Sequence, residues 1–209
     1  MLIARGSQST FKPVPPGSHL ARCYRIIDLG TQESSYLGVK KSQHKAMFQF
    51  EVHSEDDNGK PLVTDKGEPM TISKNYSVFL GKNTALRTDL ESWRGRPFTE
   101  DEIKGFNLNN VLGHWCLLTV VQTTGNDGRE YANISSISPV PKAMKASLPE
   151  PFNEIKLFSI KDPDMEFFES LSPKLKEKIA NSPEWKARNE PKYAPQPSSN
   201  FDDDNSIPF

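Results

Sequence analysis

The period of apolar and polar positions changes several times along the chain, and each change predicts an element. After an extended lead of Pro13, Pro15, Pro16 and Gly17, "SHLARCYRIIDLGTQ" reads as a long strand. Ala21, Cys23 and Ile27 alternate there with Leu20, Tyr24 and Ile26 in a partly two-sided pattern, and Gly30 marks a kink or an end. "KAMFQFEVH" alternates more cleanly, with Ala46, Phe48, Phe50 and Val52 on one face and Lys45, Met47, Gln49 and His53 on the other. Shared parity with Val52 assigns Phe48 and Phe50 to the core. A polar loop, "SEDDNGKPLVTDKGEP", leads to a third strand, "MTISKNYSVFL", in which Ile72, Lys74, Tyr76 and Val78 share a face.

The period then becomes helical. In "NTALRTDLESW", Leu86, Leu90 and Trp93 recur at helical spacing, with Asn83 or Thr84 as the cap and Gly95 as the stop. "TEDEIKGF" predicts a second short helix capped by Thr99, with acids in its first turn. "HWCLLTVVQTT" and "EYANISSISPV" are two further strands joined by the turn "GNDGR". Strand, strand, strand, helix, strand, strand is the element order of the OB-fold, a five-stranded barrel whose exposed face and loops bind oligonucleotides. The predicted fold is therefore mainly β, an OB-fold barrel over residues 1–147 with helices between strands 3 and 4.

Beyond it the pattern is segmented and helical. "DPDMEFF", "SPKLKEKIAN" and "SPEWKAR" each place Asp162, Ser172 or Ser182 before a proline in the first turn, and Leu171, Leu175 and Ile179 fall on one face. Residues 148–190 thus read as a helical extension docked on the barrel, with partner binding as the alternative. Residues 191–209, "PKYAPQPSSNFDDDNSIPF" from Pro191 onward, hold proline, serine and acid with little to bury, and are expected to be a disordered acidic tail.

Charge matters here by position. The 26 basic and 27 acidic side chains nearly cancel, but residues 1–147 hold 18 against 15, residues 148–200 hold 8 against 9, and the last nine hold none against three. Cys23 and Cys116 lie apart in apolar runs without metal-ligand or CxxC spacing, and are expected to be buried thiols in a reducing cytoplasm. The N-terminal stretch lacks a signal-peptide apolar region, no run approaches a membrane span, and the expected location is cytoplasmic. No nucleophile elbow, zinc-protease or phosphate-loop motif is present, and His19, His44, His53 and His114 show no ligand spacing. The chain is expected to be neither an enzyme nor a carrier of a metal or other cofactor.

Binding a single strand needs cations for the backbone and flat rings for the bases. Arg22, Tyr24 and Arg25 on the first strand, Lys45 on the second, Lys74 and Tyr76 on the third, and Arg129 with Tyr131 on the last interleave the two. Tyr36, Lys40 and Lys41 fall in the loop after the first strand, where an OB-fold wraps its ligand. Arg94 and Arg96 in "WRGRP" are secondary phosphate candidates, with interaction at a helix C-terminus as their plainer role.

Three stretches, "PPGSHLARCYRIIDLGTQ", "LRTDLESWRGRPFTEDEIKGFNLNNVLG" and "YANISSISPVPK", resemble the single-stranded DNA-binding proteins encoded by tailed bacteriophages, over about Pro13 to Arg188. The resemblance implies an OB-fold, sequence-independent binding of single strands and a role in phage DNA replication, recombination or repair, in the cytoplasm of the host. The terminus separately resembles the acidic tip of bacterial single-stranded DNA-binding proteins, although Asn205 and Ser206 separate Asp202, Asp203 and Asp204 from Ile207, Pro208 and Phe209. A terminal ring and carboxylate preceded by acids suit an apolar pocket with a basic rim, so these six residues are the expected partner-binding tip, recruiting replication or recombination proteins of phage or host. The same tail could compete with DNA for the basic groove.

Rival expectations are an RNA- or duplex-DNA-binding protein, a strand-annealing protein, and an interaction adaptor without DNA binding. The adaptor reading turns on whether Tyr24, Lys74 and Tyr76 face solvent together. An edge strand or the helical extension also offers a surface for self-association.

Overall fold

A computed structural model describes residues 12–189 apart from 37 and 126. Six strands and five helices follow one another as β1 (Gly17–Tyr36), β2 (Val39–Val52), β3 (Thr71–Ser77), α1 (Ala85–Arg94), α2 (Glu100–Lys104), β4 (Trp115–Thr124), β5 (Glu130–Ser138), β6 (Lys156–Phe158), α3 (Met165–Ser170), α4 (Pro173–Ala180) and α5 (Pro183–Asn189). The sheet runs β3-β2-β1-β4-β5 with antiparallel neighbours, and β6 adds parallel to β1. Its edges β3 and β5 lie close together and α1 packs against both, but no ladder joins them among the described residues. The barrel expected from element order is thus a β-rich sheet that hydrogen bonds do not close.

The length of β1 organises the molecule. It pairs with β2 from Ala21 to Tyr36, while its other edge takes β4 over Gly17–Arg22 and β6 over Arg25–Ile27. Two register shifts, between Cys23 and Arg25 and between Asp28 and Gly30, explain its two-sided pattern. Parity predicted Ile27 beside Ala21 and Cys23. The bulge at Tyr24 reverses that, so Ile26 joins Ala21 and Cys23 in the first core while Ile27 and Leu29 enter a second. Gly30, in the left-handed region at φ 67, is a kink within the strand and not its end.

The first core holds Phe48, Phe50 and Val52 of β2, Ile72 and Tyr76 of β3, and Leu86, Leu90 and Trp93 of α1, together with Cys116 and Leu118 of β4. Phe48 meets Tyr76 edge-on and Phe50 tilts against Trp93, the geometry that suits the charge distribution of aromatic rings. Cys23 and Cys116 are both free and buried, and burial pushes both thiols well up. The expected helices form. Gly95 stops α1 in the left-handed region, and Thr99 and Glu102 close a capping box on α2.

The second core lies on the other side of β1 and β2. Phe158 of β6, Phe167 and Phe168 of α3, Leu171, Ile179 and Trp185 pack there on Ile27, Leu29 and Met47. Phe168 and Trp185 stack with centroids 4.4 Å apart. The helical extension is therefore docked, and the sheet face that binary patterning would leave wet is covered at Met47 and Glu51. β6 was not predicted, because a three-residue strand carries no period. α3 begins later than expected, capped by Asp164 and not Asp162, with the Asp164 carboxylate accepting from the Phe167 N–H.

Candidate nucleic-acid interface

The residues expected to contact nucleic acid divide into those the fold consumes and those it exposes. Arg22 is buried and donates through Nε to Glu51 at 2.6 Å and through Nη2 to the Asn153 carbonyl. Glu51 also accepts from the Phe152 and Asn153 backbone N–H groups and from the Asn153 side chain. Burial alone would raise the Glu51 carboxyl, but these donors hold it below its ordinary value. The pair ties the extension to the sheet and leaves Arg22 nothing for a ligand. Tyr24, the bulge residue, is buried, with the Arg25 guanidinium 5.1 Å from its centroid and 5.0 Å from that of Phe167. Arg25 also donates to Gln49 at 3.3 Å.

Lys74 and Tyr76 point inward, as the parity of Ile72 required, and share one partner. Lys74 Nζ stands 2.6 Å from Asp89 Oδ2, to which the Tyr76 hydroxyl donates at 2.7 Å. Burial and the adjacent Asp89 raise the Tyr76 pKa far above its usual value, so the phenol stays neutral. Tyr24, Lys74 and Tyr76 thus present no shared face to solvent. Arg94 and Arg96 both pair with Glu102, at 2.5 and 2.9 Å, and Arg94 also covers the Phe98 ring. Their plainer, structural role is the one the contacts describe.

What remains open lies at the hairpin tips. Tyr36 ends β1 and its side chain lies outside the described part. Lys40 and Lys41, expected in a loop, belong to β2, because β1 and β2 extend as one hairpin arm to a tight turn at Gly38. Both are exposed, and their cross-strand neighbours Ser35 and Ser34 are uncharged. On the β4–β5 turn, Arg129 is exposed and Tyr131 is 46% exposed, its hydroxyl donating to Asp127 at 2.7 Å. Asp202, Asp203, Asp204, Ile207, Pro208 and Phe209 lie outside the described residues.

Strand alternation places Lys41, Gln43 and Lys45 on one face of β2, and β3 continues that face with Asn75 and Ser77, the partners of Met47 and Lys45. The Ser77 hydroxyl donates to Gln43 Oε1 at 3.0 Å across the ladder. A shallow groove of about 330 Å³ runs beside them, and Phe79 forms its wall. The Phe79 ring is 67% exposed and rests against Gly81, where a Cβ would overlap it. Thr84 fixes this loop by donating its hydroxyl to the Phe79 and Gly81 carbonyls at 2.9 and 3.0 Å. That bond replaces the expected helix cap, since the Thr84 side chain caps nothing.

Sequence reasoning passed over Phe79 because it was counted as part of β3, which ends at Ser77. The available signal was a large ring just ahead of "GKN", a turn-forming stretch that cannot bury it. Among the described residues no group of three or more His, Cys, Asp or Glu could hold a metal ion, and no helix is long and apolar enough to cross a membrane. The chain matches no protein-family model and no curated protein.

Proposed function

We propose that this chain binds single-stranded DNA along the outer face of β2 and β3 without reading its sequence. The observation that carries the reading is the groove in which the exposed Phe79 ring stands beside Lys45, with Lys41 in line and Gln43, Asn75 and Ser77 on its floor. A ring of this exposure can stack on a base, and the lysines can follow the phosphates. No carboxylate of the described residues lies within ion-pair distance of Lys40, Lys41 or Lys45, so their charge is available to a polyanion.

The strand order, the helix between β3 and β4 and the approach of β3 to β5 support a partly open OB-fold with β6 added to it. In that fold the face of strands 2 and 3 and the loops joining strands 1–2 and 4–5 bind oligonucleotides. Here Lys40 and Lys41 stand on β2 beside the β1–β2 turn, and Arg129 and Tyr131 stand in and beside the β4–β5 turn. With the resemblance to phage single-stranded DNA-binding proteins, this supports a role in coating single strands during phage DNA replication, recombination or repair. The acidic terminus would recruit partners. No bond is made or broken in this reading.

The test is fluorescence anisotropy of labelled oligo(dT) with the full chain at several salt concentrations. Binding that weakens steeply with salt is expected, because phosphate contacts release counterions. Absence of binding at low salt would refute the reading, and stronger binding of a matched RNA strand would transfer it to RNA. One observation favours an interaction adaptor instead. Phe152, Ile155 and Leu157, beside and within β6, are exposed together with the inward burial of Tyr24 and Tyr76. An adaptor gives no salt-dependent oligonucleotide binding.

A further inference from the structure

The helical extension meets the sheet at a group of lysines. α4 is held on β1 where Gln32 Nε2 donates to the Lys178 carbonyl at 3.1 Å. Immediately beyond α4, Ser182 approaches Gly30 so closely that a Cβ there would overlap it, and Gly30 is the cross-strand partner of Lys45. Lys178 is thereby brought beside Lys45, and Lys174 lies one turn before it on α4. Burial lowers the Lys178 pKa, and the positive charges of Lys45 and Lys174 beside it lower it further.

Their surroundings do not neutralise them. Among the described residues none of the three has a carboxylate within ion-pair distance, whereas Lys176 of the same helix pairs with Glu169 at 2.8 Å and Lys156 with Asp164 at 3.0 Å. Glu177 of α4 points to solvent, and two acids at the joint with β1 are engaged elsewhere. Asp28 accepts from His44, Gly30 and Ile160, and Glu184 accepts from both donors of Thr31. Holding like charges together costs stability, and an anion seated among them would remove that cost.

We propose that Lys45, Lys174 and Lys178 form a phosphate-binding site that carries the nucleic-acid backbone from the β2–β3 groove onto α4, making the helical extension part of the binding surface. The inference rests on the single-strand reading above and adds to it a path and two residues. Anisotropy of labelled oligo(dT) over a salt series tests it, using the full chain as wild type, K174Q/K178Q, K174R/K178R and the charge-matched K142Q/K161Q, whose lysines are exposed elsewhere.

Each lost phosphate contact should flatten the log–log salt slope by about 0.7, so K174Q/K178Q is expected to lose about 1.4 and to bind more weakly. K174R/K178R should keep the slope, and K142Q/K161Q should change it far less. An unchanged slope in K174Q/K178Q while wild type binds would overturn this site alone. An equal fall in K142Q/K161Q, or a fall in K174R/K178R, would overturn it as well. A wild type that does not bind would overturn this inference and the reading beneath it together.

Discussion

Two aromatic residues only three positions apart, Tyr76 and Phe79, are assigned opposite roles by their surroundings. Tyr76 is buried, with its hydroxyl on Asp89, whereas Phe79 stands in solvent on a loop pinned by Thr84. Tyr76→Phe should therefore destabilise the fold by about 1–2 kcal/mol, the cost of leaving a charged acceptor short of a buried donor, and leave oligo(dT) affinity unchanged. Phe79→Ala should do the reverse. Urea denaturation should find its stability close to wild type, and anisotropy should find affinity reduced by about one to two orders of magnitude, corresponding to about 1–3 kcal/mol of stacking. The residue types of the proposed binding surface were legible in the sequence, and the directions of some of them were too. Period-two parity correctly turned Lys74 and Tyr76 toward the side of Ile72, and that placement removes them from any ligand. Phe79 falls outside the pattern because β3, expected to run to Leu80, ends at Ser77, and that error of three residues moves its side chain from ladder to loop.

At the scale of elements, the joint between the hairpin arm and the helical extension is a hydrogen-bonded hub. Glu184, in the first turn of α5, accepts from the Thr31 N–H at 2.9 Å and from its hydroxyl at 2.5 Å, while His44 bridges Asp28 at 2.7 Å and Glu184 at 3.3 Å. Burial would raise the Glu184 pKa, but the Thr31 donors, a backbone N–H of its own turn and His44 bring it down to about 2. Folding lowers this pKa from 4.5, so the stabilisation is complete above pH 4.5 and is lost as pH falls toward about 2. Glu184→Gln should cost about 1 kcal/mol at pH 7, discounted for partial exposure, and its difference from wild type should shrink across that window when unfolding is followed as a function of pH. A difference independent of pH would contradict this assignment.

Gly30 is the second fastener of the joint. Its left-handed backbone and its contact with Ser182 both exclude a side chain. Gly30→Ala is expected to cost about 1–3 kcal/mol and to make the chain beyond Lys161 more susceptible to limited proteolysis than the sheet. The elements themselves were largely readable from their periods and turn residues. Their assembly was less so, because the bulge at Tyr24 and the docking of α3 to α5 depend on contacts between segments more than a hundred residues apart, as in the pairing of Arg22 with Asn153.

For the whole molecule, a near-zero net charge hides a division of surfaces. Buried or paired cations hold the structure together at Arg22, Lys74, Arg94 and Arg96, whereas Lys40, Lys41 and Lys45 of the arm and Lys174 and Lys178 of α4 have no ion-pair partner among the described residues. The proposed strand path joins the second group through the Phe79 groove. Composition shows the mild basic excess of the front segment but not that α4 contributes to it, since Lys174 and Lys178 lie in the extension whose charges nearly cancel. The most direct measurement is photochemical cross-linking of oligo(dT) to the full chain, followed by mass spectrometric mapping of the modified residues. Cross-links at Phe79 and on β2 peptides containing Lys41 and Lys45, suppressed by high salt, are the expected result. Cross-links confined to the face carrying Phe152, Ile155 and Leu157, or none at low salt, would contradict it.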